Sequence, residues 1–226
     1  MKKIFLILFA TFTTLLADNS EKIIADIERE IKATLYLLEL DNNDFMKEQT
    51  IEEFSLGPIN DYNIEQYILS KTTNKRTKKI LETIDKYMKK FFPEGKEKFI
   101  KKIAIAQIMI ESEFNKNAIG DTNTNSPAYG LMQVRLSTAS YMQKVMKEFK
   151  SDRGMSNIEL ADYLRTIEGG IKYGMGYLYM KKKYNDYNKT SNKKKFFTMV
   201  SLYNGGKNNH RYVNKVFKEI NEMDKM

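Results

Sequence analysis

The chain of 226 residues contains no cysteine. That excludes structural disulfides and a lipid-modified N-terminal cysteine, so an exported form must hold its fold by core packing alone. It has one histidine, His210, in a polar stretch where exposure is expected. With no cysteine and no clustered carboxylates, a metal site has no support, and no cofactor is implied. There is no fixed-period repeat and no alternating β pattern of any length, so the fold class is mainly α. Beyond the first residues, no hydrophobic stretch is long and uncharged enough to span a membrane.

What is present begins with an export signal. Lys2 and Lys3 give a basic start, Ile4 to Leu16 an apolar core, and Ala17 a cleavage residue before polar "DNSEK". The core is shorter than the roughly 20 apolar residues of a membrane span. Leu15 is not the ideal small residue two positions before Ala17, which keeps an uncleaved anchor as an alternative. The expected location is the periplasm. Charge is uneven: Asp18 to Gly95 holds 12 Lys+Arg against 16 Asp+Glu, and Lys96 to Met226 holds 24 against 13. A basic half favours an anionic partner such as nucleic acid, a membrane surface or an acidic wall polymer. Export argues against nucleic acid, and lysines in runs are usually just solvated.

Three regions follow from the pattern: a signal at 1–17, a small helical unit at 18–95, and a larger helical domain at 96–226. In the second, Ile23, Ile24, Ile27, Ile31, Leu35 and Leu38 recur at helical spacing behind the N-cap Ser20. "YNIEQYILSK" reads as a short helix, and "ILETIDKYMKKFF" as a longer one stopped by "PEGKE". This unit is a candidate dock for a protein partner. In the third, a helix from about Lys98 to Phe114 precedes the loop "NKNAIGDTNTNSPAYG". "LMQVRLSTASYMQKVMKEF" turns helical in its latter part, and "SDRGMSN" is a turn. "IELADYLRTIEGGIKYGMGYLYMKKKY" is helical in two pieces, and "NDYNKTSNKKK" is a basic loop. "FFTMVSLYNGG" is a buried helix ended by paired glycines, and "RYVNKVFKEI" is a last amphipathic helix.

One segment raises a chemical question. Ile103 to Ile110 has a single polar side chain, Gln107, and runs into Glu111, Ser112 and Glu113. A helix apolar all round is buried. Glu111 shares a face with Gln107 and Ile108, and further back with Ala104 and Ile103, so it inherits a low-dielectric neighbourhood. Burial and the negative helix C-terminus both raise a carboxyl pKa, which suits a general acid. Periodicity alone does not choose Glu111 over Glu113, and both at a fraying, exposed helix end is the plain alternative.

A set of ordered motifs breaks the tie. Glu111-Ser112 stands at the helix end, Gly130-Leu131-Met132-Gln133 follows, and Ser201-Leu202-Tyr203-Asn204 leads into Gly205-Gly206. "IEGGIKYGMGYL" places spaced glycines before Tyr177-Leu178. From about Lys96 to Ile220 the chain resembles the SLT-type lytic transglycosylase domain, a lysozyme-like fold. It departs in three places. The loop after Glu111 carries polar "GDTNTNSP". Leu202 stands where the family has Ala, and the Pro that often precedes Thr-Ala is absent, with Ser137 before Thr138-Ala139. None removes a catalytic group, and they leave the subfamily open.

The resemblance implies cleavage of the β-1,4 bond between N-acetylmuramic acid and N-acetylglucosamine in peptidoglycan glycan strands, without water. The muramyl C6 hydroxyl closes onto C1 and leaves a 1,6-anhydro end. Ordinary glycosidases flank the bond with two carboxylates; here one can act as acid and then as base. The resemblance makes Glu111 that group. It implies that Ser112 bonds near the glutamate or the N-acetyl group, that Met132 and Gln133 line the cleft floor, and that Gln133 offers a polar handle for sugar. Tyr203 should reach toward Glu111, and Asn204 toward sugar or backbone. Tyr177 is a candidate binding residue or a core residue. Gly170 and Gly174 read as helix-packing positions, and Gly205 and Gly206 as a helix stop. A lysozyme-like hydrolase using Asp121 as second carboxylate is one alternative, although Asp in such a loop usually forms turns. A non-catalytic wall-binding or secretion-assembly factor is another.

Overall fold

The computed structural model describes residues 60–93, 99–187, 192–204 and 209–226, with side chains described outside 184–187 and 192–196. The expected signal at 1–17 and the helix expected from Ser20 lie outside the described residues. Gln49–Met226 forms one compact unit.

Helix α1 spans Asp61–Leu69, and Asn60 caps it by accepting the Tyr62 N–H at 3.1 Å. Helix α2, Asn74–Phe91, buries Thr77, Ile80, Thr83, Ile84, Tyr87 and Phe91, which recur at three- and four-residue spacing. That stripe packs on α6, Ile167–Tyr187. Phe91 meets Phe149 at 5.8 Å and Tyr179 at 5.7 Å between ring centroids, and Phe149 meets Tyr173 at 4.5 Å. Such aromatic pairs add about 0.5–1.5 kcal/mol each beyond the area they bury. Residues 61–91 therefore share the core of the larger domain, although the sequence suggested a separate unit ending near residue 95.

Helix α3, Phe99–Ser112, is the centre of the fold. Ile100 and every residue from Lys102 to Ile108 are buried. Lys102 lies fully within, ion-paired to Asp224 of α8, His210–Asp224. α8 turns Tyr212, Val213, Val216, Phe217, Ile220 and Met223 inward against α3. Its cap is Asn209, whose side chain accepts the Tyr212 N–H at 3.1 Å.

Between α3 and α4, Leu136–Val145, lies a small sheet that composition did not signal. Strands β1 (Ile119–Gly120), β2 (Ala128–Tyr129) and β3 (Val134–Arg135) are two residues each and antiparallel, with Gly120 facing Ala128 and Tyr129 facing Val134. Gly130 follows β2 with φ at +77°, and a Cβ there would run into the Leu164 carbonyl, so only glycine fits. The turn "SDRGMSN" is partly a 3-10 helix, Lys147–Asp152. Ser156 and Glu159 then form a capping box on α5, Asn157–Leu164. The break before α6 matches the two helical pieces expected. Asp152 accepts from Lys172 at 2.6 Å through both oxygens, a buried ion pair beneath α6. The expected basic loop is shorter than its composition suggests, because α6 runs to Tyr187 and α7 spans Asn192–Tyr203. Among the described residues no helix is long and apolar enough to cross a membrane.

Candidate active site

α3 ends where its side chains change character. The Glu113 N–H still reaches the Met109 carbonyl at 2.9 Å, but Glu113 and Phe114 take φ of 49° and 60°. This left-handed exit stops the helix without a glycine. It turns Glu113 out to solvent and folds Phe114 back into the core. Glu111, one position before the last helical residue, stays on the inward side and is partly buried.

Glu111 opens into a cleft of about 580 Å³. The small sheet supplies one wall through Gly120, Asp121, Ala128, Gln133, Val134 and Arg135; Thr138 extends it from α4. Tyr177 of α6 and Tyr203 and Asn204 at the end of α7 supply the other. Among the described residues, the four non-glycine positive φ values belong to Glu113, Phe114, Asp121 and Gln133. Asp121 and Gln133 line this cleft, and Glu113 and Phe114 form the turn that follows Glu111. Backbone of this kind costs on the order of 1–3 kcal/mol per residue and collects where function demands it.

The carboxyl of Glu111 is held from two sides. The Tyr212 hydroxyl donates to Glu111 Oε1 at 2.6 Å, and the Asn204 side chain also hydrogen-bonds it. Burial pushes the Glu111 pKa up and nearby Asp121 adds to this; Tyr212, Asn204 and the Lys215 ammonium pull the other way. Burial wins, so the carboxyl sits above its ordinary range. Burial, with the Glu111 charge adding to it, pushes the Tyr212 and Tyr203 phenols far up, so both remain neutral donors.

The other expected site residues take up differing positions. The Ser112 hydroxyl is near the carbonyls of Ile108 at 2.9 Å and Leu131 at 2.8 Å, bracing α3 against the Gly-Leu-Met-Gln segment. Met132 is fully buried against Gly174 rather than in the cleft, and its carbonyl accepts from Tyr203 at 2.8 Å. Gln133 lines the cleft, with its amide nitrogen donating to Gly130 at 2.9 Å and Ala118 at 3.1 Å. Tyr177 packs on Tyr203 at 5.0 Å between centroids and also reaches the cleft. Asn204 is exposed and accepts from the Asn209 amide at 3.0 Å. Gly205 and Gly206 lie outside the described residues. His210 is half-buried, its ring 5.1 Å from that of Phe197.

Two residues near the site went unmarked in the sequence. Tyr212 sits in a run that reads only as an amphipathic helix; a buried tyrosine needs a partner, but the partner is 101 positions away. Arg135 forms an ion pair with Asp121 at 2.7 Å across the sheet wall. Among the described residues no group of three or more Asp, Glu or His side chains gathers closely enough to hold a metal ion.

The model of the transglycosylase SLT domain matches residues 90–224, more than half of the chain. No curated protein and no solved structure gives a match. The matched span contains the cleft, both of its walls and the helix that carries Tyr212. The chain belongs to the transglycosylase SLT domain family, whose function is of the peptidoglycan-acting lytic transglycosylase type.

Proposed function

We propose that this chain is a lytic transglycosylase that cuts the bond between N-acetylmuramic acid and N-acetylglucosamine in exported wall, with Glu111 as its single acid/base. One observation carries the reading: Glu111 is a cleft-lining carboxyl at the end of a buried, mostly apolar helix, and burial holds its pKa above the ordinary range. A carboxyl shifted in that direction holds its proton to higher pH than an exposed one, the direction a general acid requires.

Glu111 gives its proton to the glycosidic oxygen as the bond to C1 breaks. The ring carries positive charge at C1, which the substrate's own N-acetyl oxygen can stabilise. The C6 hydroxyl then attacks C1, and its proton returns to Glu111, closing the 1,6-anhydro ring. After the first transfer Glu111 is ionised in a low-dielectric site. The neutral phenol of Tyr212 and the amide of Asn204 lower the cost of that charge. Tyr177 and Tyr203 offer aromatic surface to a sugar, and Gln133 and Ser112 hold the cleft walls in register.

The alternative hydrolase needs a second carboxylate to activate water. Asp121 lines the same cleft, which favours that reading, but its carboxylate is engaged by Arg135. The deciding experiment digests purified wall with the native chain and with Glu111→Gln, and identifies ends by mass spectrometry. Anhydromuramyl ends, lost by roughly 10²–10⁴-fold in the variant, are expected. Reducing ends would replace the reading by hydrolysis, and undiminished cleavage by Glu111→Gln would remove Glu111 from the chemistry.

A further inference from the structure

The central helix α3 is apolar on nearly every side, yet it carries Gln107 with no exposed surface. A primary amide has two donor hydrogens and an acceptor oxygen. Gln107 Nε2 donates to the Tyr212 hydroxyl oxygen at 3.4 Å, while no hydrogen-bond partner reaches Oε1. A leucine or methionine would fill this place without such a loss. Buried polar atoms left unmatched are uncommon, and each calls for an explanation. Gln107 stands one helical turn before Glu111, and both meet the same hydroxyl, since Tyr212 donates to Glu111 Oε1 at 2.6 Å.

A hydroxyl has one hydrogen and two lone pairs. With Glu111 ionised, the Tyr212 hydrogen points at the carboxylate and an N–H of Gln107 feeds the phenol oxygen. With the proton on Glu111 Oε1, the atom facing Tyr212, the carboxyl donates to the phenol oxygen and the Tyr212 hydrogen needs another acceptor. Gln107 Oε1 becomes that acceptor if the amide turns by half a rotation. The amide nitrogen and oxygen are nearly the same size, so the turn leaves the packing of α3 unchanged.

We propose that Gln107 is the positioning residue of the acid/base pair: it presents its N–H to Tyr212 when Glu111 is ionised, and its carbonyl when Glu111 carries the proton. This rests on Glu111 being the acid/base. Apart from the proton that Glu111 gives up or takes back, no bond changes; the direction of the chain Gln107–Tyr212–Glu111 reverses. Charged and titratable groups around Glu111 come from each neighbouring element: Tyr212 and Lys215 on α8, Tyr203 on α7, Tyr177 on α6, and Asp121 with its partner Arg135 on the sheet wall. Gln107 is neutral in both orientations, so it serves both halves of the cycle without adding charge to the core.

The test follows the Gln107 side-chain amide and the Glu111 carboxyl carbon of the full chain by NMR against pH. Both signals are expected to share one midpoint, and in Tyr212→Phe the Gln107 response should vanish while Glu111 still titrates. A Gln107 signal that stays flat through the Glu111 titration overturns the proposal. In kinetics, Gln107→Met keeps the volume and removes both hydrogen-bonding functions. It is expected to hold or raise Tm and to lower kcat about five- to tenfold. KM should stay within about twofold, with no added loss on top of Tyr212→Phe. Losses that add to those of Tyr212→Phe, or an unchanged kcat, assign Gln107 a packing role alone. Glu111→Gln keeps the two readings apart: intact wall cleavage there sinks the acid/base assignment, whereas the NMR titration of the native chain still reports the hydrogen-bond chain.

Discussion

Replacing Tyr212 by Phe removes one oxygen from a buried position and leaves the ring in place. The lost group is the hydroxyl that donates to Glu111 Oε1 at 2.6 Å. A hydrogen bond to a charged group is worth about 1.5–3 kcal/mol, and 1.36 kcal/mol is a factor of ten, so the ionised Glu111 loses roughly 10- to 150-fold in stabilisation. That charge develops as the glycosidic oxygen takes its proton, so the loss should appear in kcat. Tyr212 is buried beside the cleft and does not line it, so KM should move less than about threefold. The pH profile supplies a second readout. Without its donor the carboxylate is harder to form, so the limb on which activity falls with rising pH moves to higher pH. The assay is release of anhydromuramyl products from purified wall across pH, with Tm as a control for folding. A kcat within about twofold of native, or a limb that moves to lower pH, would refute the role given to Tyr212.

Three further outcomes follow from the same geometry. The pKa of Glu111 is raised in the folded chain, so the folded state binds more protons than the unfolded one across the window between the two values. Stability therefore falls as pH rises through that window, and Glu111→Gln should raise Tm at pH above it and give no gain below the ordinary carboxyl range; thermal melts across pH test this, and a gain confined to low pH contradicts it. Gly174→Ala places a Cβ 2.6 Å from the Met132 Cβ, where overpacking costs about 1–3 kcal/mol. Because the Met132 carbonyl holds Tyr203, denaturant melts should show that loss together with reduced cleavage, and a neutral variant would mean the α6 contact yields freely. Asp121→Asn breaks the pair with Arg135, an exposed bridge worth about 0–1 kcal/mol, so Tm should barely move. Cleavage should fall less than about fivefold if Glu111 acts alone, and a hundredfold fall would favour the hydrolase.

Some of this was legible from residues alone. The apolar run Ile103 to Ile110 announced a central helix, because no solvated surface tolerates it on every side, and α3 is buried as expected. The amphipathic spacing of Ile80, Ile84, Tyr87 and Phe91, and of Val213, Val216, Phe217 and Ile220, marked α2 and α8. The ordered motifs around Glu111, Gly130 and Tyr203 pointed to the family, and one or two residues of each, Glu111, Gln133, Tyr203 and Asn204, line the cleft. The three tiny strands were not legible: two residues carry no alternation, and their pairing is set by Gly130 and the neighbouring elements.

What the sequence determined by itself was therefore the family, the helices and a short list of carboxylates and tyrosines, since local periodicity and motif order are written along the chain. Tertiary structure alone decided which atoms meet. The left-handed exit at Glu113 and Phe114 sends Glu113 outward and keeps Glu111 in the cleft, a choice that helical spacing could not make. It buries Met132 behind Tyr203, and it brings Tyr212 across 101 positions onto Glu111. Contacts of that range depend on how whole helices pack, and no window of neighbouring residues contains that information.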